Sequence, residues 1–238
     1  MNKPVKKVEV FHSAFGGASG GTIESIFTMG RLPKEMRDPF LLNPKGSVSE
    51  LQRESSKDSI KIKWIDEAKK WSGLGLFAVA NTRVVRRSAA LMEMSQKPYG
   101  ANFTFKEHGA YSSKSAARLA TFGLIAAFLI ISTPLKHLVR RFLPKPGEGP
   151  STEIQEKGWF KGVFIAEAED GEKQVSTIYG DGDPGYKSTS KMVCESALTI
   201  ALCNDLPGGE NFGGFLTPAS GLGQPLIERL KNVGIRFN

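Results

Sequence analysis

Residues 16–22 read Gly16, Gly17, Ala18, Ser19, Gly20, Gly21, Thr22, between a partly alternating stretch at 5–15 and a short helical stretch at 23–29. Strand, glycine turn and helix is the order in which a nucleotide pyrophosphate meets the amides of a helix N-terminus. The spacing is not G-x-G-x-x-G, and no second strand ending in an acidic residue follows about twenty residues later, so a dinucleotide fingerprint is not expected here. Arg83, Arg86 and Arg87 surround a small apolar pair, Val84 and Val85. Guanidinium forks match carboxylate or phosphate groups, and surface ion pairs are the plain alternative for them. His12, His108 and His137 stand far apart, none with a partner at metal-ligand spacing, so no metal site is expected. The chain has no Walker loop or C-x-x-C pair, and hence no self-sufficient reaction centre of those kinds.

The charge balance is uneven. Residues 1–145 carry 24 Lys+Arg against 11 Asp+Glu, a balance of +13, and residues 146–238 carry 8 against 13, a balance of −5. A basic first part either meets something anionic, lipid or nucleic acid, or is simply solvated. No zinc-finger spacing, basic heptad array or RNP-type aromatic motif is present, so nucleic acid is not expected as a partner. Cys194 and Cys203 read as lying on one helix, separated by roughly 13 Å of rise and facing opposite sides. Free thiols in a reducing, intracellular compartment follow, and the N-terminus shows no apolar stretch of the secretory kind.

Around these residues the elements are an irregular, Pro- and Ser-rich connection at 31–57, a half-amphipathic stretch at 60–71 broken at 73–77, and a segment at 78–94 carrying the arginines. Residues 103–107 alternate like a strand. Stretches at 159–168 and 174–179, joined through Asp170 and Gly171, read as a hairpin. Asp183 stands where a helix N-cap belongs, with Pro184 at the first helical position, and this helix is expected to reach about Cys203. A glycine-rich loop at 207–214, a turn at 216–219 and a helix at 224–233 complete the chain. Fold class is thus expected to be α+β, one domain over 1–238 built as a mixed β-sheet with flanking helices.

Residues 119–135 contain no charge in seventeen positions and are bracketed by Lys114 and Arg118 on one side and Lys136, His137, Arg140 and Arg141 on the other. Seventeen residues is the lower limit for crossing a bilayer. Shallow insertion or a short hairpin in a bilayer, through Leu124, Ile125, Phe128 and Ile130 with Lys136, Arg140 and Arg141 reaching headgroups, is one expectation; a buried core helix is the rival.

Four runs of residues resemble the saccharopine dehydrogenase-like oxidoreductases: ASGGT (18–22); NTRVVRRSAAL (81–91) followed by YGANF (99–103); KPGEGPS (145–151); and GDPGY (182–186) with Thr189, Lys191, Met192, ESAL (195–198), LTPA (216–219) and LIERL (226–230). The resemblance implies the C-terminal, substrate-side part of an NAD- or NADP-dependent oxidoreductase whose nucleotide-binding Rossmann domain is not in this chain and would be supplied in cis or in trans. It implies no cofactor for this chain alone and no hydride transfer by it. It places Ser19, Gly20, Gly21, Thr22, Asp183, Gly185, Tyr186 and Thr189 at a nicotinamide cleft and makes Arg83, Arg86 and Arg87 candidates for an anionic substrate or cofactor phosphate. It also implies association with a membrane or lipid-droplet surface, mitochondrial or other, and a link to lipid or glycolipid metabolism. A cytoplasmic location, a homo-oligomer and a non-enzymatic membrane-surface protein are the alternatives. Residues 73–77 depart from the family pattern just ahead of the arginines, which leaves the local pocket shape open.

Overall fold

The computed structural model describes residues 3–29, 38–57, 60–207 and 213–238. Parts of the connection at 31–57 and of the glycine loop at 207–214 therefore lie outside the described residues. The protein is α+β, with a mixed seven-stranded sheet and flanking helices. The strands are β1 (Val5–Phe15), β2 (Trp64–Ile65), β3 (Lys70–Gly73), β4 (Thr104–Tyr111), β5 (Trp159–Ala168), β6 (Lys173–Asp181) and β7 (Arg236–Phe237), in the order β2-β3-β4-β1-β5-β6-β7. β1 and β4 run parallel and the other neighbours are antiparallel.

β1 is covered on both faces, because successive side chains point to opposite sides and both Val10 and Phe11 are buried. Val10 packs with Phe103 and Phe105. On that face lies α3 (Ala78–Met94), whose Val85 and Ala89 join the same cluster. Phe11 packs with Val163 and Ile65 on the other face. Since Ile65 belongs to β2 at the sheet's edge, the β2–β3 end curls back over the sheet, and a Lys173–Glu67 ion pair at 3.1 Å ties β6 to it. Burying each of these side chains contributes about 1.5–3 kcal/mol.

The remaining helices are α1 (Gly20–Met29), α2 (Glu50–Ser55), α4 (Lys114–Ile131), α5 (Lys136–Val139), α6 (Thr152–Lys157), α7 (Lys187–Leu202), α8 (Pro218–Gly221) and α9 (Gly223–Asn232). α1 begins at Gly20, and the expected turn at 216–219 is the start of α8, capped by Thr217 and Ser220. The half-amphipathic stretch at 60–71 forms the β2–β3 hairpin, its Trp64 and Trp71 meeting edge to face. Cys194 and Cys203 are free thiols; Cys203 is the residue that caps α7.

The apolar segment is helical over Lys114–Ile131, followed by turns rather than helix at 132–135. It is not a core helix. Within it only Ala117 and Thr121 are buried, and these seat its first turns on β3 and β4, where Thr121 Oγ1 accepts from Leu74 N at 3.1 Å. The rest projects from the sheet beside α1, which contributes Phe27 as a buried apolar side chain. It is, among the described residues, the one helix long and apolar enough to cross a membrane by length and composition.

Candidate functional site

The first group of expected cleft residues does come together. The loop after β1, the loop at 145–150 and the turn at 183–186 meet at one end of the sheet. A Cβ on Gly17 would lie 2.4 Å from the Pro150 ring, and one on Gly20 would lie 1.8 Å from the carbonyl oxygen of Lys145, so the loops touch where those glycines stand. Gly20 N donates to Glu148 O at 2.9 Å, and Ser19 Oγ caps α1 by accepting from Thr22 N at 3.0 Å. Gly21 follows in the first turn of α1. These residues do not fit a pyrophosphate cradle: the space that a phosphate needs beside Gly20 is filled by Lys145 and Pro146, and two of the leading amides already have acceptors. The glycines serve loop packing.

Asp183 is fully buried and ties down the neighbouring turn. Its carboxylate accepts from Gly185 N at 3.0 Å, Tyr186 N at 3.1 Å and Lys187 N at 3.0 Å. The helix expected to start at Pro184 in fact starts at Lys187, because the amides of residues 185–187 are held by this carboxylate and residues 184–186 form a turn. Thr189 Oγ1 donates to Pro184 O, and its side chain is on the surface.

The arginines sit elsewhere. Arg86 is buried, over the Phe40 ring, and donates to Pro39 O at 3.1 Å and Ser56 O at 2.8 Å. Arg83 donates to Asp38 O at 3.1 Å, and Arg87 to Phe215 O and Leu42 O. All three bind carbonyls that fasten loops onto α3, and none of these partners belongs to the Ser19 or Asp183 loops. Leu124, Ile125 and Ile130 are half-buried on α4 while Phe128 is exposed; Lys136 begins α5, and Arg140 pairs with Glu24 of α1 at 3.1 Å, with Arg141 exposed beside it.

The strongest cluster of titratable groups lies on the parallel pair β1–β4, and sequence reasoning misses it. On the α3 face, His12 Nε2 lies 3.7 Å from Glu107 Oε2, and Asn81 Nδ2 of α3 donates to Glu107 Oε1 at 3.1 Å. Glu107 is almost wholly enclosed, 4% exposed, while His12 is 37% exposed. Burial pushes the Glu107 carboxyl above the usual carboxylate range and pushes the His12 imidazole below its usual value. At neutral pH this arrangement favours a neutral imidazole next to a carboxyl that holds its proton longer than an exposed one. On the opposite face, His108 Nε2 stands 3.4 Å from Glu9 Oε1 and Lys7 Nζ 2.7 Å from Glu9 Oε2. There the His108 contact, with Lys7 and Lys63, brings Glu9 down to about 2. One strand pair thus carries a carboxyl held below its usual range on one face and a carboxyl pushed above it on the other. Of the two, the α3 face, with a histidine beside a carboxyl whose proton is held by burial, has the groups an acid–base site needs. The signal in the sequence is slight: a histidine in one strand and a Glu–His pair in another, joined only by strand pairing.

No family model matches the chain, and no solved structure does. The chain is similar to proteins named as trans-acting enoyl reductases. One of Mycobacterium tuberculosis is 32% identical over 95% of this chain and 57% of its own length; one of Mycobacterium leprae is 28% identical over 92% and 54%. One of Mycobacterium bovis is 33% identical over 69% of this chain and 40% of its own length. The chain spans about half the length of the curated relatives it matches. These relatives correct the reading as a saccharopine dehydrogenase-like substrate domain, since the name they carry is that of an enoyl reductase. The non-enzymatic alternative gains no support from them either.

Proposed function

We propose that the chain is the acyl-side, proton-handling portion of an enoyl reductase that acts on an enoyl group borne by another protein. What carries the reading is similarity to trans-acting enoyl reductases along 95% of the chain, and the His12–Glu107 pair gives it a chemical basis. Reduction of a C=C bond conjugated to a thioester carbonyl needs a hydride at the β-carbon and a proton at the α-carbon. A reduced nicotinamide supplies the hydride. The residues at 16–21 do not fit its pyrophosphate, so that half of the chemistry belongs to a nucleotide-binding domain supplied in cis or in trans.

The proton half belongs to His12. Once hydride has arrived, negative charge spreads from the α-carbon onto the carbonyl oxygen. Neutral His12 gives the proton on Nδ1 to the α-carbon, and Nε2 takes the proton of Glu107 in its place. Glu107 is left as a carboxylate whose Oε1 keeps the Asn81 amide as donor. The 3.7 Å gap between His12 and Glu107 is longer than a hydrogen bond and shortens by rotation of His12 when substrate arrives. Solvent then restores the proton through His12.

The test is reduction of a 2-enoyl thioester on an acyl carrier protein by the chain together with its nucleotide-binding domain, supplied in cis or in trans, with NADH or NADPH as donor, in deuterated water. Saturated product with solvent deuterium at the α-carbon is expected, and less of it from His12→Asn. No saturated product with either donor would overturn the enzymatic reading. Unchanged turnover in His12→Asn and Glu107→Gln would remove this pair from the mechanism while leaving the reductase reading in place.

A further inference from the structure

α4 carries an apolar seam that nothing in the described residues covers. Leu119, Phe122 and Leu129 are 78%, 64% and 64% exposed, and with Ala126 they recur at helical spacings of three and four, so that they form one stripe. Beyond the helix the apolar surface continues through Leu135, Leu138 and Phe142, the last 83% exposed. Single exposed apolar residues are ordinary, whereas a continuous stripe of this size marks a contact surface.

Its charge identifies the partner. From 108 to 147 the chain contains six Lys and Arg and no Asp or Glu. Arg118 lies beside the start of the seam, and Lys136, Arg140, Arg141 and Lys145 follow its end. Arg140 is neutralised by Glu24 and Lys114 lies over Trp71, while Arg118, Arg141 and Lys145 are exposed. Two copies packed through this seam would set these cations against each other. We infer that the seam and its cations form a docking surface for an anionic lipid bilayer, on which α4 lies with Leu119, Phe122 and Leu129 in the acyl boundary and the basic side chains at the phosphates. The surface does not depend on the enoyl reductase reading. An apolar stripe enters any bilayer, and the cations select the negatively charged one, each contributing about a fivefold gain in affinity.

The experiment is co-sedimentation of the protein with vesicles of phosphatidylcholine alone and of phosphatidylcholine mixed with phosphatidylglycerol. Binding to the mixed vesicles is expected, weaker in high salt and at least tenfold weaker to the neutral ones. Phe122→Glu with Leu129→Glu should abolish it, and Arg118→Ser with Arg141→Ser should weaken it about twentyfold. Because all four side chains are exposed, the thermal midpoint should not move. No binding to either vesicle would overturn the inference. So would a fall in midpoint in the glutamate variant, which would show the seam covered within the protein, or a dimer in solution that the same variant dissociates.

Discussion

His12 Nε2 and Glu107 Oε2 face each other at 3.7 Å across the parallel β1–β4 pair, the histidine half-open to solvent and the carboxyl enclosed behind it. The competent state holds one proton. Turnover should fall on the acid side, where the imidazole is already charged and cannot take the Glu107 proton, and on the alkaline side, where the pair is empty. Glu107→Gln removes the reservoir and should lower kcat by about 10²–10⁴ with little change in KM. A pH profile of kcat for wild type and variant checks this: the bell should lose its alkaline limb together with the rate.

The Glu9–His108 contact on the other face is a stability device. Glu9 titrates near 2 in the fold and near 4.5 when free of it, so its depressed value makes the folded state more stable above pH 4.5, and that gain is lost as pH falls toward 2. Glu9→Gln should lower stability at pH 7 by on the order of 2 kcal/mol, with the difference from wild type shrinking as the pH drops. Denaturant titrations at several pH values measure it. A difference independent of pH would assign the loss to packing against Lys7 and Lys63 instead of to ionisation.

Much of the scaffold is legible because its signals are local. Residues 5–15 and the hairpin around Asp170 and Gly171 alternate and turn where β1, β5 and β6 do, and the arginine-bearing segment is α3. β2 and β7 are two residues each, too short for any periodicity, and exist because a neighbouring strand offers its edge. The charge-free run announces a helix but not its surroundings. Whether Leu119 and Phe122 face a core or open space depends on whether another element crosses α4, which no local pattern records. His12 and Glu107 are illegible for a similar reason. β1 and β4 are joined by a long crossover containing α1 and α3, and only their register, His12 opposite Gly109 and Val10 opposite Glu107, sets the two side chains on one face. The arginines show the converse: a guanidinium cluster that reads as an anion site is consumed by backbone carbonyls once the 38–42 loop folds over α3.

Gly20 tests the packing role of the glycine turn. Gly20→Ala would drive a methyl group into the Lys145 carbonyl, 1.8 Å from where Cβ would sit, and the contact is backbone to backbone, so no side-chain rotation relieves it. A loss of about 1–3 kcal/mol is expected, as for overpacking. Gly21→Ala is the control, since the nearest atom to its Cβ is Ser19 Oγ at 3.7 Å, and it should leave the thermal midpoint within about 2 °C or raise it, alanine being the better helix former. Equal losses in both would mean that the α1 N-terminus needs glycine for conformation and not for closeness.

Asp183 offers the sharpest separation of fold from chemistry, because its carboxylate takes three backbone donors while remaining fully buried. Asp183→Ala leaves the amides of Gly185, Tyr186 and Lys187 without their acceptor, and solvent reaches that position only if the turn opens. The loss should exceed that of an exposed N-cap, at about 2–4 kcal/mol against roughly 1. Asp183→Asn keeps one acceptor oxygen but brings an NH₂ group toward the amides served by the other, so it should fall between wild type and alanine, a different result from the near-neutral exchange an exposed cap would give. The turn also carries Gly185 against Gly17 O and Gly16 against Pro184, so opening it should loosen the loop after β1, on which His12 lies upstream. Hydrogen exchange checks both statements at once. In Asp183→Ala, protection should drop at 184–188 and at 16–20 together, while β4 and its Glu107 stay protected. If exchange rises at 184–188 alone, the two loops are neighbours without mechanical coupling, and the stability loss belongs to the turn by itself.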